Sequence, residues 1–248
     1  MVIRKSDREL ALMREAGRIV AVTHAVLRES IRPGVTTAEL DALAYETVTK
    51  HGAKPSFLGY RGFPASLCVS TNEEVVHGIP GPRVLEEGDI VSLDFGTIYR
   101  GFQGDAAITV GVGKIGKRAQ ELIEATRGAL KAAIAQCRRG NYLGDISWSI
   151  QDYAESRGFS VVRQYVGHGI GRKMHEEPQI RNYGTPGRGI LLKPGMTFAL
   201  EPMVNVGTYL THVLNNEWTV VTDDGQLSAH FEHTVAVTEG EPEVLTRL

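Results

Sequence analysis

The sequence contains very few cysteines. Only Cys68 and Cys137 occur in 248 residues, and neither belongs to a Cys-x-x-Cys pair. A zinc ribbon needs paired thiolates and is therefore excluded, and a disulfide framework is disfavoured because it needs more cysteines. Such cysteine usage is typical of a reducing compartment, so a cytoplasmic location is expected.

An excess of one charge and long apolar segments are also missing. The chain has 27 Lys and Arg against 29 Asp and Glu, a formal net charge of -2. No strong positive field therefore indicates nucleic acid or an anionic membrane surface as a partner. The opening MVIRKSDREL lacks the apolar core of a signal peptide, and no apolar run is long enough to cross a bilayer. Neither nucleic acid nor membrane is an expected partner.

The rest of the composition is that of a folded chain, with 42% hydrophobic and 23% charged residues. Apolar residues at helical spacing predict a first helix from Ser6 to Ser30, with Ser6 and Glu9 spaced as a capping box. Three more helices are predicted: one capped by Thr36 or Thr37 and running through Lys50, and the segments Lys117–Arg138 and Leu143–Arg157. Short strands are predicted near Leu67–Val69, Glu74–Val76, Val161–Val162, Thr197–Leu200, Met203–Val206, Trp218–Val221 and His233–Val237.

Residues Val91 to Val110 predict a β-hairpin with one carboxylate on each arm. A turn centred on Tyr99 and Arg100 places Asp94 directly opposite Asp105, with Cβ atoms roughly 4.5–5.5 Å apart on one face. Two carboxylates this close repel each other unless a cation lies between them. Apolar flanking residues argue against full solvation, so a metal site is the hypothesis. The alternative is a surface hairpin with two aspartates near its turn.

The two halves of the sequence share the same glycine spacing. Gly34 and Gly52 are 18 residues apart, and so are Gly140 and Gly158, which follow at an offset of 106. Farther along, GDIVSLD aligns with GMTFALE at an offset of 107, and each segment ends in a carboxylate. Chance agreement between common glycines is the alternative. We infer a duplicated unit of two helices followed by strands.

The duplication predicts an α+β fold in which two pseudo-symmetric halves, roughly 1–112 and 113–248, form a single catalytic domain. A site at the join would take one pair of carboxylates from each half. Asp94 and Asp105 form the first pair. Glu201 ends the aligned segment of the second half, and Glu232 on the last predicted strand mirrors Asp105.

The glycine-rich segment GHGIGRKMHEEP in the second half adds His168 and His175. A single histidine in such a loop is more often structural, but two in one glycine-rich segment favour a functional role. The candidate ligands are Asp94, Asp105, His168, Glu201 and Glu232. Four carboxylates and one imidazole suit hard to borderline ions such as Mn, Fe(II) or Co, and their charge matches two divalent cations. Metal-assisted hydrolysis is the predicted chemistry.

Together these motifs resemble those of the bacterial type I methionine aminopeptidases, which have the pita-bread (creatinase/aminopeptidase) fold. The resemblance covers essentially the whole chain. The segments that carry it are NEEVVHGIP, LDFGTIYRGFQGDAA, GHGIGRKMHEEP, FALEPMV and the strand that contains Glu232. It implies a pseudo-twofold fold around a curved antiparallel sheet. The implied activity removes the initiator methionine from nascent proteins and Met-Xaa peptides with a small second residue, by means of a metal-bridging hydroxide.

The resemblance also implies a role for each candidate ligand. Asp94 would chelate one metal ion, Asp105 and Glu232 would bridge both, and His168 and Glu201 would complete the second. Co, Mn and Fe(II) are the implied ions, with Zn and Ni as further candidates.

Three residues take catalytic roles by the same resemblance. His175 would bind the scissile carbonyl and stabilise the oxyanion, and His77 would contact the substrate amide nitrogen. Glu201 would take a proton from the bridging water.

The implied pocket for the methionine side chain is mostly aromatic and polarisable, which suits a thioether. It consists of Phe57, Tyr60, Phe63, Cys68, Met174 and Trp218. Phe57 stands where many family members have a smaller Cys, and Met174 where many have Phe. Both differences affect the size of the pocket, and core packing is the alternative role for each pocket residue.

Two other readings compete with this one. Proline-specific relatives such as aminopeptidase P or prolidase usually carry a large N-terminal domain, for which Asp94 comes too early in this chain. A binding module without activity would typically have lost ligands, whereas all five are present. The expected partners are nascent polypeptides, with transient ribosome contact implied by the task alone, and the expected state is a monomer.

Overall fold

The computed structural model describes residues 2–248. Its helices are α1 (Asp7–Ser30), α2 (Thr37–Lys50), α3 (Lys117–Gln136) and α4 (Leu143–Glu155), with a 3-10 turn at Tyr60–Gly62. The strands of the first half are β1 (Lys54–Pro55), β2 (Cys68–Thr71), β3 (Glu74–Val76), β4 (Ile90–Tyr99) and β5 (Phe102–Gly111). Those of the second are β6 (Ser160–Val161), β7 (Gly167–Gly169), β8 (Glu176–Ile180), β9 (Thr197–Leu200), β10 (Met203–Asn205), β11 (Thr211–Val213), β12 (Val220–Thr222), β13 (Ser228–His230), β14 (Glu232–Ala236) and β15 (Glu243–Val244).

The predicted helix starts are confirmed by their caps. The Ser6 hydroxyl accepts a hydrogen bond from the Glu9 amide, and the Glu9 carboxylate accepts one from the Ser6 amide at 3.0 Å. Thr36, rather than Thr37, caps α2 in the same way through Glu39. These reciprocal bonds satisfy amides that have no partner inside the helix, which fixes where each helix begins.

The main sheet runs β1-β4-β5-β14-β9-β7-β8, with β2 also paired to β4 and β15 to β14. All of its strand pairs are antiparallel. The central pair joins β5 of the first half to β14 of the second. The sheet is therefore continuous across the two halves of the sequence.

The duplication inferred from glycine spacing is visible in the backbone. Equivalent glycines share a left-handed φ, with Gly34 and Gly140 at 93° and 89°, Gly52 and Gly158 at 69° and 74°, and Gly88 and Gly195 at 97° and 86°. Glycine adopts this conformation without steric strain, so its position in the sequence determines where the chain can turn. The predicted α+β pita-bread arrangement of two related units is confirmed.

The predicted register of the β4–β5 hairpin is wrong by two residues. Tyr99 pairs with Phe102, so the turn residues are Arg100 and Gly101, with φ of 47° and 81°. A two-residue turn with left-handed φ at both positions suits the twist of a hairpin, and glycine supplies one of them. Asp94 consequently lies opposite Ala107 and not opposite Asp105. Because the shift is even, both carboxylates still project from the same face.

The other face of the sheet is apolar and is covered by the helices. Leu93 and Phe95 of β4 belong to the core beneath α1 and α2. Phe198 and Leu200 of β9 belong to the core beneath α3 and α4. Because side chains alternate along a strand, burying these residues turns their polar neighbours toward the opposite face.

Helix α1 packs very close to the sheet because both surfaces carry glycine. A Cβ atom on Gly17 would lie 2.2 Å from the carbonyl oxygen of Leu245, and one on Gly104 would lie 2.7 Å from the Gly17 amide nitrogen. The atoms in the way belong to the backbone, so no side-chain rotation could relieve the overlap.

We predict that Gly17→Ala lowers the free energy of unfolding by at least about 2 kcal/mol, because the added methyl overlaps the backbone at Leu245 and forces α1 away from it. Urea denaturation measures the effect. Gly240→Ala is the matched control, since a Cβ there meets nothing within 4 Å. Equal stabilities for the two variants would contradict the close packing of α1.

Candidate metal centre

Three of the four acidic residues occupy one row across neighbouring strands. Asp94 on β4 pairs with Ala107 on β5, and Ala107 pairs with Glu232 on β14. On the far side of β14, His233 pairs with Leu200. Glu201 follows Leu200. If the antiparallel register continues by one residue, Glu201 lies beside Glu232.

A second row on the same face carries the other two candidates. Asp105 pairs with Gly96, two residues from Asp94, and its backbone exchanges hydrogen bonds of 3.0 and 2.8 Å with the Thr234 hydroxyl. His168 on β7 pairs with Ala199 of β9. The antiparallel register thus brings all five predicted ligands, which are far apart in sequence, to two adjacent rows.

Distances between side-chain atoms place four of the five residues, all but Asp94, in one cluster. His168 Nε2 lies 4.0 Å from an oxygen of Asp105 and 3.5 Å from an oxygen of Glu201. Asp105, His168 and Glu232 each offer one ligand atom, and these atoms all lie within 4.8 Å of one another. That spacing is suitable for atoms that share a bound ion.

Three carboxylate oxygens in the cluster are buried without a hydrogen-bond donor. They belong to Asp94, Asp105 and Glu232. A buried oxygen of this kind loses its hydration without replacement, which is costly unless a cation takes the place of water. The residues present therefore fit divalent metal ions on chemical grounds.

Burial and mutual repulsion shift the pKa values of these acids. Burial raises the pKa of Asp94 to about 7. Burial, followed by the charges of neighbouring carboxylates, raises the pKa values of Asp105, Glu201 and Glu232 well above the ordinary range. Both effects oppose ionisation, and a bound cation would reverse them.

A hydrogen bond to the backbone of the next residue orients His168 toward the carboxylates. Its Nδ1 atom lies 2.9 Å from the Gly169 carbonyl oxygen, to which it donates a hydrogen bond. The unprotonated Nε2 then faces Asp105 and Glu201. Burial lowers the pKa of His168 to about 3, so the ring is neutral and able to act as a ligand.

The segment that holds His168 was expected to be a glycine-rich loop, but part of it forms β7 and β8. A Cβ on Gly167 would lie 2.4 Å from the Ala199 carbonyl oxygen, and one on Gly169 would lie 2.2 Å from that of Glu177. Glycine is unfavourable in strands, so propensity alone misses β7. Here the glycines let the backbones of β8 and β9 approach β7 closely.

His175 lies beside the cluster. Its ring centroid is 4.2 Å from that of His168, and its Nδ1 atom lies 2.8 Å from the Tyr60 hydroxyl. Burial, and then the charge of Arg61, lowers the pKa of His175. When the Tyr60 hydroxyl donates to Nδ1, the proton of the neutral ring lies on Nε2, which is left free to donate.

Aromatic rings surround the other predicted histidine. His77 packs edge-on against Tyr165 and Trp218, at centroid distances of 5.8 and 6.3 Å. Phe63 in turn packs edge-on against Trp218 at 5.1 Å. Burial lowers the pKa of His77 to about 4, so this ring is also neutral near pH 7.

A cavity of about 310 Å³ opens onto the ligand cluster. Five of the six predicted pocket residues line it, namely Phe57, Tyr60, Phe63, Cys68 and Trp218. Met174 does not line it. Met174 is buried in a core cluster behind Phe57, and both side chains reach over Gly96.

Six lining residues were not predicted: Arg61, Val76, Gln164, Tyr165, Val166 and His230. The only sign of them in the sequence is that some lie close to predicted site residues. Three directly precede the GHGIG segment, and His230 lies two residues before Glu232. His230 is buried, and its Nε2 atom has no hydrogen-bond partner within residues 2–248.

The fold and this ligand cluster together define a metal-dependent hydrolase. The sequence profile of metallopeptidase family M24 matches residues 11–239. A methionine aminopeptidase from Clostridium acetobutylicum is 54% identical, with 99% of each chain covered, and methionine aminopeptidase 1 from Bacillus subtilis is 52% identical over both full lengths. The crystal structure of a methionine aminopeptidase from Thermotoga maritima superposes with a TM-score of 0.99 over both chains, at 48% identity. The chain belongs to metallopeptidase family M24.

Across residues 2–248, no helix is both long enough and apolar enough to span a bilayer.

We predict that Asp94→Asn stabilises the metal-free protein by about 2–4 kcal/mol at about pH 8, because the amide removes a buried charge. The folded pKa of Asp94 is about 7 against an ordinary 3.8. The wild-type group therefore contributes its full stability below about pH 4, and loses it as the pH rises through about 7. The advantage of the variant should disappear toward about pH 4.

Thermal unfolding of both proteins in chelator, at several pH values, measures this effect. Excess Mn²⁺ should reverse the order, because the variant lacks a charged ligand. A variant that is less stable than wild type at every pH without metal would contradict the raised pKa.

Proposed function

We propose that this protein is a methionine aminopeptidase. It removes the N-terminal methionine from peptides and nascent polypeptides whose second residue is small. The observation that carries the proposal is the aromatic cavity opening directly onto the five clustered ligands. The names of the full-length relatives support the same activity.

The proposed cofactors are two divalent metal ions, held by Asp94, Asp105, His168, Glu201 and Glu232. About four negative charges balance two such ions, and an oxygen-rich set with one imidazole favours Mn, Fe(II) or Co, with Zn or Ni as further candidates. When bound, such ions polarise a carbonyl oxygen and lower the pKa of water toward about 7. Asp105 and Glu232 would be shared between the two ions, Asp94 would hold one of them, and His168 and Glu201 would hold the other.

The cavity walls supply recognition of the first residue. Phe63 and Trp218 present polarisable aromatic surface, and Cys68 adds a buried thiol at the same wall. A thioether gains favourable contacts from aromatic ring edges. With its side chain here, the free α-amino group of the substrate reaches the carboxylate cluster.

Three side chains act on the peptide bond. The Nε2–H of His175 donates to the carbonyl oxygen and stabilises the negative charge that develops there. His77 contacts the amide nitrogen, and its edge-on packing against Trp218 holds its ring in place. Glu201 accepts the proton of the attacking water, because its carboxylate lies in the cluster beside His168.

The domain organisation and partners follow from the same proposal. Residues 1–248 act as one catalytic domain, because the first half supplies Asp94 and Asp105 while the second supplies the other ligands. The proposed enzyme works as a cytoplasmic monomer on chains leaving the ribosome, with only transient contact to it.

We predict metal-dependent release of methionine from Met-Ala and Met-Gly peptides, with at least about 100-fold lower kcat/KM for Met-Leu peptides. Mass spectrometry of a peptide panel measures it after anaerobic loading with Mn, Fe(II), Co or Zn. Cleavage of Xaa-Pro peptides while Met-Ala peptides stay intact would instead favour a proline-specific enzyme. Less than one equivalent of bound metal would favour a binding module.

We predict that His175→Ala lowers kcat roughly 10²–10³-fold, because the developing oxyanion loses a donor. Steady-state kinetics on Met-Ala peptides measures it. His212→Ala is the matched control, because His212 is exposed and pairs with Asp223 away from the cavity. An effect confined to KM would assign His175 to ground-state binding alone.

A further inference from the structure

A second depression of about 610 Å³ continues from the catalytic cavity. The two share Arg61, Val166, His168 and His175. We call the second depression the outer groove. Because it begins at His168 and His175, it is the natural path for the polypeptide that follows the cleaved bond.

Most charges along the outer groove are already paired. Lys5 and Glu176 form a buried ion pair at 2.6 Å, and Arg172 lies 3.4 Å from Glu9. Lys173 and Glu177 also line the groove, but neither lines the catalytic cavity, and their charges are opposite. These groups leave no net charge at the start of the groove.

Arg61 differs from them in position and in pairing. It is exposed and lines both the cavity and the outer groove. Across residues 2–248, no carboxylate oxygen lies within 4.0 Å of its guanidinium. Its guanidinium carbon lies 5.4 Å from the centroid of the Tyr60 ring. A cation without a carboxylate partner therefore lies at the junction of the cavity and the outer groove.

The backbone holds Arg61 in this place. Its φ is 51°, between Gly59 at 79° and Gly62 at 92°. Hydrogen bonds of 2.9 Å from Gly59 to Phe63 and 3.0 Å from Phe63 to Tyr60 close the turn. A left-handed φ is unfavourable for arginine, so these hydrogen bonds are needed to hold the turn in this conformation.

We propose that Arg61 is a specificity residue that selects substrates with a carboxylate side chain at the third position. An extended chain advances roughly 3.3 Å per residue, so the Cα atom of the third residue lies about 5 Å beyond the cleaved bond. An arginine side chain at the junction spans that distance, and its fork matches a carboxylate. A lysine at the third position would be repelled. The inference depends on the proposed function.

The test compares C-terminally amidated peptides Met-Ala-Xaa-Gly-Ser in which Xaa is Glu, Gln or Lys. Amidation removes the terminal carboxylate, so the Xaa side chain is the only group that can offer Arg61 a carboxylate. We expect the wild type to favour Glu over Lys in kcat/KM about three- to tenfold at low ionic strength, and less at about 1 M salt.

Variants at one position test the assignment. Arg61→Gln should bring the Glu-to-Lys ratio close to one, Arg61→Lys should retain a preference for Glu, and Arg61→Glu should invert it. Arg100→Gln is the matched control, because Arg100 is exposed with φ of 47° but lines neither the cavity nor the groove. It should keep the wild-type ratio.

A wild-type ratio of one, or an unchanged ratio in Arg61→Gln, would overturn the inference. Those outcomes leave the proposed function intact, since all three peptides are still cleaved. Failure of the wild type to cleave any Met-Ala peptide would instead reject the proposed function. The salt dependence of the wild-type ratio tests the charge effect even if Arg61→Gln fails to fold.

Discussion

Repulsion among four carboxylates, held together away from bulk water, is the constraint on which the rest of this structure depends. Oxygens of Asp94, Asp105 and Glu232 are buried without hydrogen-bond donors, and no arginine or lysine pairs with them in the described chain. Such an arrangement is unfavourable by itself, because each charge loses its hydration and repels the others. The proposed divalent cations would stabilise the same arrangement, because their charge offsets the repulsion. A rigid scaffold would hold the carboxylates in place for them.

The antiparallel sheet supplies that rigidity through its register. Alternation along β4 places Leu93 and Phe95 beneath the helices and sends Asp94 to the opposite face. The same rule applies in the second half, where Leu200 is in the core and Glu201 faces the cluster. Since a shift of one residue would exchange core and ligands, the hydrophobic core also fixes the metal site.

Local features could be predicted from the sequence, whereas contacts set by three-dimensional packing could not. The capping boxes and the paired glycines have local causes, and those predictions are confirmed. The prediction of the hairpin register failed because the sequence YRG contains two possible two-residue turns, Tyr99-Arg100 and Arg100-Gly101. The chain adopts the second, in which Gly101 is a turn residue. The contact of Tyr60 with His175, and the place of Met174 behind the pocket, depend on packing between distant segments and left no signal in the spacing of residues.

Space for the ions and the substrate comes from small residues on the rows that carry the ligands. Ala107 lies between Asp94 and Glu232, and Ala199 lies beside His168. A larger side chain at either position would fill the volume between the ligands. At Gly96 the missing Cβ leaves room for Phe57, which lines the cavity. The acidic residues and the imidazole can therefore bind ions and substrate only because small residues leave space between them. Both sets of residues lie on the same strands.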